Sequence, residues 1–151
     1  MNWVATGLTA GVVVLAAVLG NLFVPKAALR WFRELQWPWW LIPYRAFLFV
    51  GPIYYVLIAV VLYRSLDRGD RGATVLAVVV VIGNEAWNAL FFGRRSPRAG
   101  FFGMLVFGVL VVGLLTTAVD DPLSAILVAL YLAWVLYDVA WTRALWRLNR
   151  Q

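Results

Sequence analysis

Five stretches of about twenty apolar residues follow one another along the 151-residue chain, at roughly residues 4–24, 45–65, 73–93, 99–119 and 123–146. Each has the length that a ~30 Å hydrocarbon layer asks of a helix. Strands crossing a bilayer alternate with period two, and these stretches do not, so helices are the only spanning structure left. The expected fold class is an all-α membrane protein: a five-transmembrane-helix bundle forming one domain over residues 1–151, with a long Trp-rich first loop. The balance of the chain agrees, with 64% apolar and 13% charged residues and a mean hydropathy of +0.86. A soluble domain of this size needs far more charged surface. The first stretch has neither a basic leader nor a small-residue cleavage site, and it reads as a retained helix.

Cysteine and histidine are absent, and the two methionines are Met1 and Met104. Disulfides, thiolate chemistry and the common ligands of zinc, copper and haem iron are thereby excluded. No catalytic or metal-ligating set can be assembled. Two carboxylates without histidine or nucleophile make a thin catalytic site, and a hard cation needs more oxygen ligands than are available.

The +6 net charge is unevenly distributed. Lys26, Arg30, Arg33, Arg45, Arg94, Arg95, Arg98, Arg143, Arg147 and Arg150 fall on the side of the first loop, the third loop and the C-terminus. Only Arg64, Arg68 and Arg71 fall on the other. The positive-inside rule then puts the first loop and C-terminus in the cytoplasm and the N-terminus outside, in a bacterial or archaeal cytoplasmic membrane. Nucleic acid is not an expected partner, for no recognition fold accompanies the charge.

Three connections are short. Ser96-Pro97 and Asp121-Pro122 each read as a capping side chain ahead of a proline at the first helical position. Residues 25–44 are the exception, holding four of the nine tryptophans. Ala28, Trp31, Phe32 and Leu35 share one face at helical spacing, which predicts a short helix lying in the membrane interface. Beyond it, Trp37-Pro38-Trp39-Trp40-Leu41-Ile42-Pro43 is expected to be extended, since proline biases the residue before it away from helix. So long a connection suits a lid or binding loop.

The polar residues of the spans gather at one depth. Glu85 and Asp138 each lie about 12 Å from the cytoplasmic ends of their helices, with Tyr55 within about 3 Å of that level. Asn21, Asn84 and Asn88 occupy the same half of the membrane. An ionisable side chain at such depth is a functional-site hypothesis by default. On the last helix Tyr131, Trp134, Asp138 and Trp141 share a face, which should point into the bundle. The plainer reading is that Asn, Tyr and Trp bond neighbouring helices and that Trp39 and Trp40 belong to an interfacial belt. Apolar walls with a few convergent polar groups are also what a small-molecule cavity needs, and tryptophans suit a flat aromatic ligand. Ligand-binding candidates are Trp39, Trp40, Tyr55, Asn84, Glu85, Trp87, Asn88, Tyr131, Trp134 and Asp138. Two carboxylates on one cavity would favour a cationic or hydrogen-bond-donating ligand; with separate partners each could stay charged. Pro52 reads as a kink. Gly7-xxx-Gly11, Ala16-xxx-Gly20 and Ala99-xxx-Gly103 permit close helix contact within or between protomers, and Val135, Tyr137 and Arg143 fit a loose sterol-contact pattern.

These motifs together resemble the TspO/MBR family of tryptophan-rich sensory proteins, whose animal members are called translocator protein or peripheral benzodiazepine receptor. The resemblance rests on Trp31-Phe32-x-x-Leu35-x-x-Pro38-Trp39-Trp40-x-x-Pro43, on Tyr55, on Asn84-x-x-Trp87-x-x-x-Phe91-Phe92-Gly93, on Tyr131-x-x-Trp134, and on Leu148-Asn149. It implies a five-helix bundle, often dimeric, that binds porphyrins, sterols and synthetic aromatic compounds in a cavity capped by the first loop. Asn84 and Trp134 would be cavity residues, and Trp39 and Trp40 would belong to the lid. Some bacterial members are reported to break down porphyrin in light. The chain departs from the family's pattern at Gly51, where a cavity tryptophan is usual, at Leu130 for a proline and at Thr142 for an asparagine. Asp138 replaces a small residue and Glu85 an uncharged one. The expected function is that of a membrane receptor or carrier for a hydrophobic aromatic ligand, a tetrapyrrole first among them, with sterol or lipid as further partners and a homodimer as the assembly. No cofactor is required, and porphyrin enters as ligand. The alternatives are a light-dependent porphyrin-degrading enzyme and a lipid or proton-coupled transporter using Glu85 and Asp138.

Overall fold

The computed structural model describes residues 2–150. Five helices are long and apolar enough to cross a membrane: α1 (Trp3–Phe23), α3 (Tyr44–Asp67), α4 (Arg71–Asn88) continued by a π-helical segment (Ala89–Gly93), α5 (Pro97–Thr117) and α6 (Pro122–Leu148). Among the described residues there is no strand, and the molecule is an all-α, multi-pass membrane protein. A sixth, short helix, α2 (Lys26–Glu34), lies in the first connection. The spans pack in the cyclic order α1–α3–α6–α5–α4, with α4 also touching α3.

Helix starts follow local chemistry. Asn2, Asp70 and Ser96 cap α1, α4 and α5, their side chains accepting from the amides of Ala5, Ala73 and Ala99 at 3.1, 2.9 and 3.2 Å. Asp121 does not cap α6 as its position before Pro122 predicts. Its carboxylate is taken instead by Arg64, which donates from Nε and Nη2 at 2.6 Å each, and by the Ser124 hydroxyl at 2.6 Å. A bidentate guanidinium outcompetes a single amide for a carboxylate. The pair ties the α5–α6 turn to α3, and Arg64 holds the Asp121 carboxyl well below the usual carboxylate range. A carboxyl depressed in the folded state adds stability above its unfolded pKa of about 4 and loses it as pH falls further. Wild type should therefore lose more thermal stability than Asp121→Asn on acidification below about pH 4, and the same below neutrality down to about pH 5. Melting curves in detergent at stepped pH test this; parallel curves throughout would contradict it.

Two apolar clusters divide the bundle. One joins Ile58, Leu62, Val80, Val111, Val128 and Val135 from α3 to α6. The other, at the end that carries the first connection, gathers Phe32, Phe91, Trp141 and Leu145. Here the short helix departs from expectation. α2 does not turn its apolar face to the membrane interface; Ala28 and Phe32 are fully buried, and Phe32 lies edge-on to Phe47, Phe91 and Phe92. Burying that face against aromatic side chains of α3 and the π segment satisfies the same amphipathic pattern that lipid would. The stretch after it is also not extended throughout. Leu41 donates to the Pro38 carbonyl at 3.0 Å, so Trp39 and Trp40 sit at the tip of a turn. The prolines restrict Trp37 and Ile42, their predecessors, and leave Trp39, Trp40 and Leu41 free to turn.

The first connection and the C-terminus share one end. Asn149 accepts from the Gln36 amide at 2.9 Å and donates to the Gln36 carbonyl at 3.1 Å. The third span does not stay α-helical, for Arg94 and Ser96 donate five residues back, to Ala89 and Phe91, at 3.1 Å. Phe91 sinks into a gap left by Gly100, stacked on Trp87 at 5.3 Å. Such π-turns recur beside functional sites. Gly7 and Gly11, by contrast, meet no other helix of the chain.

Candidate functional site

A cavity of about 630 Å³ opens between α1, α3, α4 and α6 in the half of the bundle beneath α2. Helical periodicity builds its walls. Tyr131, Trp134, Asp138 and Trp141 all line it from α6, as their shared face requires. Tyr44, Phe47, Gly51, Tyr54 and Tyr55 contribute from α3, Asn84, Trp87 and Asn88 from α4, Gly20 and Asn21 from α1, and Phe32 from α2. Its volume falls within the range of small-molecule sites, as does its mix of aromatic wall and sparse polar groups.

Seven of the ten sequence candidates line this space: Tyr55, Asn84, Trp87, Asn88, Tyr131, Trp134 and Asp138. Glu85 stands behind the wall. It is 5% exposed, and its carboxylate collects three donors, the Tyr55 hydroxyl at 2.9 Å, Asn84 Nδ2 at 3.1 Å and Asn88 Nδ2 at 3.2 Å. Three good donors are what a carboxylate needs to be tolerated away from water. Trp39 and Trp40 do not reach the cavity. Trp39 is 95% exposed at the tip of its turn, and Trp40 packs edge-on against Tyr137 at 5.9 Å. The turn at Pro38–Leu41 swings both indoles outward. Leu29 and Phe32 are what α2 contributes to the wall, and Tyr137 anchors the loop by accepting from the Ile42 amide at 2.9 Å.

Asp138 differs from Glu85 in its surroundings. It is 8% exposed, lines the cavity, and accepts from the Trp141 indole N–H at 2.6 Å. The two acids thus have separate partners, and neither Arg45 nor Arg143 is among them. Trp87 donates its indole N–H to the Gly100 carbonyl at 2.9 Å, which fixes its ring at the cavity edge. Two residues that sequence reasoning left out of the site belong to it. Tyr54, adjacent to Tyr55, stacks at a tilt on Tyr131 with centroids 5.0 Å apart. Gly20, read only as a packing residue, lets Tyr55 and Glu85 approach α1. The packing of α3 on α6 reveals the first role, and that of α1 on α3 and α4 the second. Trp141, already on the predicted face of α6, needed no more than that face to be found.

Fold and cavity together describe a multi-pass helical membrane protein with an aromatic-walled cavity beneath its first connection. A model of the TspO/MBR family matches residues 9–147. The chain is 24% identical over 147 residues to the tryptophan-rich protein TspO of Archaeoglobus fulgidus, covering 94% of this chain and 96% of that one. It is 29% identical to the TspO protein of Chlorobaculum tepidum over 85% of both chains. To the human translocator protein it is 30% identical, over 89% of this chain and 84% of the relative. The chain belongs to the TspO/MBR family.

Proposed function

We propose that this protein is a receptor or carrier for a flat, hydrophobic aromatic ligand of the tetrapyrrole class, held by stacking and hydrogen bonds. The observation that carries the reading is the aromatic wall of the 630 Å³ cavity, where Trp87, Trp134, Trp141, Tyr54 and Tyr131 surround a few polar side chains. Axial ligation by His or Cys is not available to such a ligand, so shape and stacking would supply the affinity. The arrangement of basic residues supports an orientation with the first connection and C-terminus in the cytoplasm and the N-terminus outside, in a bacterial or archaeal cytoplasmic membrane. A ligand would then enter at the cytoplasmic end.

Titration of the purified protein with protoporphyrin in the dark tests the reading. Saturable quenching of tryptophan fluorescence is expected, and Trp134→Ala should cost about 1–3 kcal/mol of binding, by analogy with other aromatic stacking sites. Asn84→Ala should weaken binding as well. Unchanged affinity in both variants, with the fold intact, would put the ligand elsewhere. Repeating the titration under light separates binding from degradation, since only the enzyme reading calls for a product spectrum.

A further inference from the structure

One polar group of the cavity is left with acceptor capacity to spare, the Asp138 carboxylate, 8% exposed and on the wall. The Trp141 indole bonds one of its oxygens at 2.6 Å. A carboxylate can accept about four hydrogen bonds, so most of its capacity is unused. Glu85 is different, for three side-chain donors already occupy it. Among the residues that line the cavity there is no lysine or arginine. Nothing in the wall therefore matches Asp138 in charge. Trp134, Trp141, Tyr54 and Tyr131 line the same cavity, and aromatic walls of this kind attract cations.

We infer that the cavity selects a ligand whose apolar aromatic body carries a protonated amine, with Asp138 as the group that receives its N–H donors. This rests on the aromatic-ligand reading above and adds the charge of the ligand to it. An ammonium beside Asp138 favours the ionised carboxylate. Its N–H groups use the free acceptor capacity of Asp138, and the aromatic wall contributes the cation–π attraction. A carboxylate-bearing ligand would meet Asp138 with like charge and no compensating base. Specificity of this kind arises as much from what is repelled as from what is attracted.

The test uses the full chain in detergent micelles and three porphyrins of one macrocycle, differing only in an aminoalkyl, an alkyl or a carboxyalkyl arm. A naphthylalkylamine serves as a probe with no tetrapyrrole at all, with its alkyl analogue as the control for micelle partitioning. The aminoalkyl porphyrin should bind at least about tenfold tighter than the carboxyalkyl one, given the size of buried charge-pair effects. Asp138→Asn keeps an acceptor for Trp141 and should erase that ratio, changing the alkyl porphyrin less than either charged one. Equal or tighter binding of the carboxyalkyl porphyrin by wild type overturns the inference, as does a preference that survives Asp138→Asn. Failure of all three porphyrins, with the naphthylalkylamine still bound in an Asp138-dependent way, would overturn the tetrapyrrole reading and uphold the amine site. Failure of every probe overturns both.

Discussion

Gly100→Ala is expected to destabilise the bundle by about 3 kcal/mol, near the top of the usual range for overpacking a core. A Cβ built on Gly100 would overlap the Phe91 ring, which is fully buried. Phe91 cannot swing aside, because Trp31, Phe32, Trp87, Phe92 and Trp141 all contact it with ring centroids between 4.8 and 5.8 Å. The substitution would also push α5 away from α4 and strain the bond from the Trp87 indole to the Gly100 carbonyl. Since Trp87 lines the cavity, ligand affinity should fall along with stability. Thermal unfolding in detergent measures the first effect. The double variant Gly100→Ala, Phe91→Leu should recover part of the loss, as expected for residues in contact. A melting temperature equal to wild type for the single variant would show that the α4–α5 contact yields easily.

Gly20→Val should be at least as damaging, by a different route. A Cβ at Gly20 would lie 2.6 Å from the Tyr55 hydroxyl oxygen and 2.9 Å from Glu85 Oε2. Tyr55 must then give up its 2.9 Å bond to Glu85, and its 3.3 Å approach to the Ala16 carbonyl. A carboxylate at membrane depth that loses a donor retains its desolvation penalty, which is about 3 kcal/mol or more for a charged group. Removing the acid removes that penalty. Glu85→Ala in the Gly20→Val background should therefore be less destabilising than the sum of the single changes. Strict additivity in this cycle would mean that Gly20 acts by helix packing alone, with no part in seating the Tyr55–Glu85 pair.

These two glycines mark how much of the protein is legible without coordinates. The span count and the helical class followed from segment length and the backbone's need to satisfy its own hydrogen bonds in lipid, and need no knowledge of partners. The inward face of α6 followed from period alone, so Tyr131, Trp134, Asp138 and Trp141 were found together. Co-location of Tyr55, Asn84 and Asn88 followed from rise per residue, which fixes depth in a membrane as it cannot in a soluble protein.

What failed had a common cause. A loop's residues carry no period, so nothing local shows that Trp39 and Trp40 point away from the cavity, and the turn that exposes them depends on the residues its prolines leave free. The face of α2 was assigned to lipid because an amphipathic pattern states that a surface is buried without stating against what. Asp121 was read as a cap because Arg64, fifty-seven positions earlier, is invisible to local reasoning. The same holds for Gly20 and Gly100, whose importance lies wholly in side chains of other helices. Spacing along one helix determined depth and facing for the polar residues of the spanning helices. Which acid is saturated and which is left open was decided only by helix-to-helix contact, because hydrogen-bond partners across a bundle are set by distances that no single helix encodes.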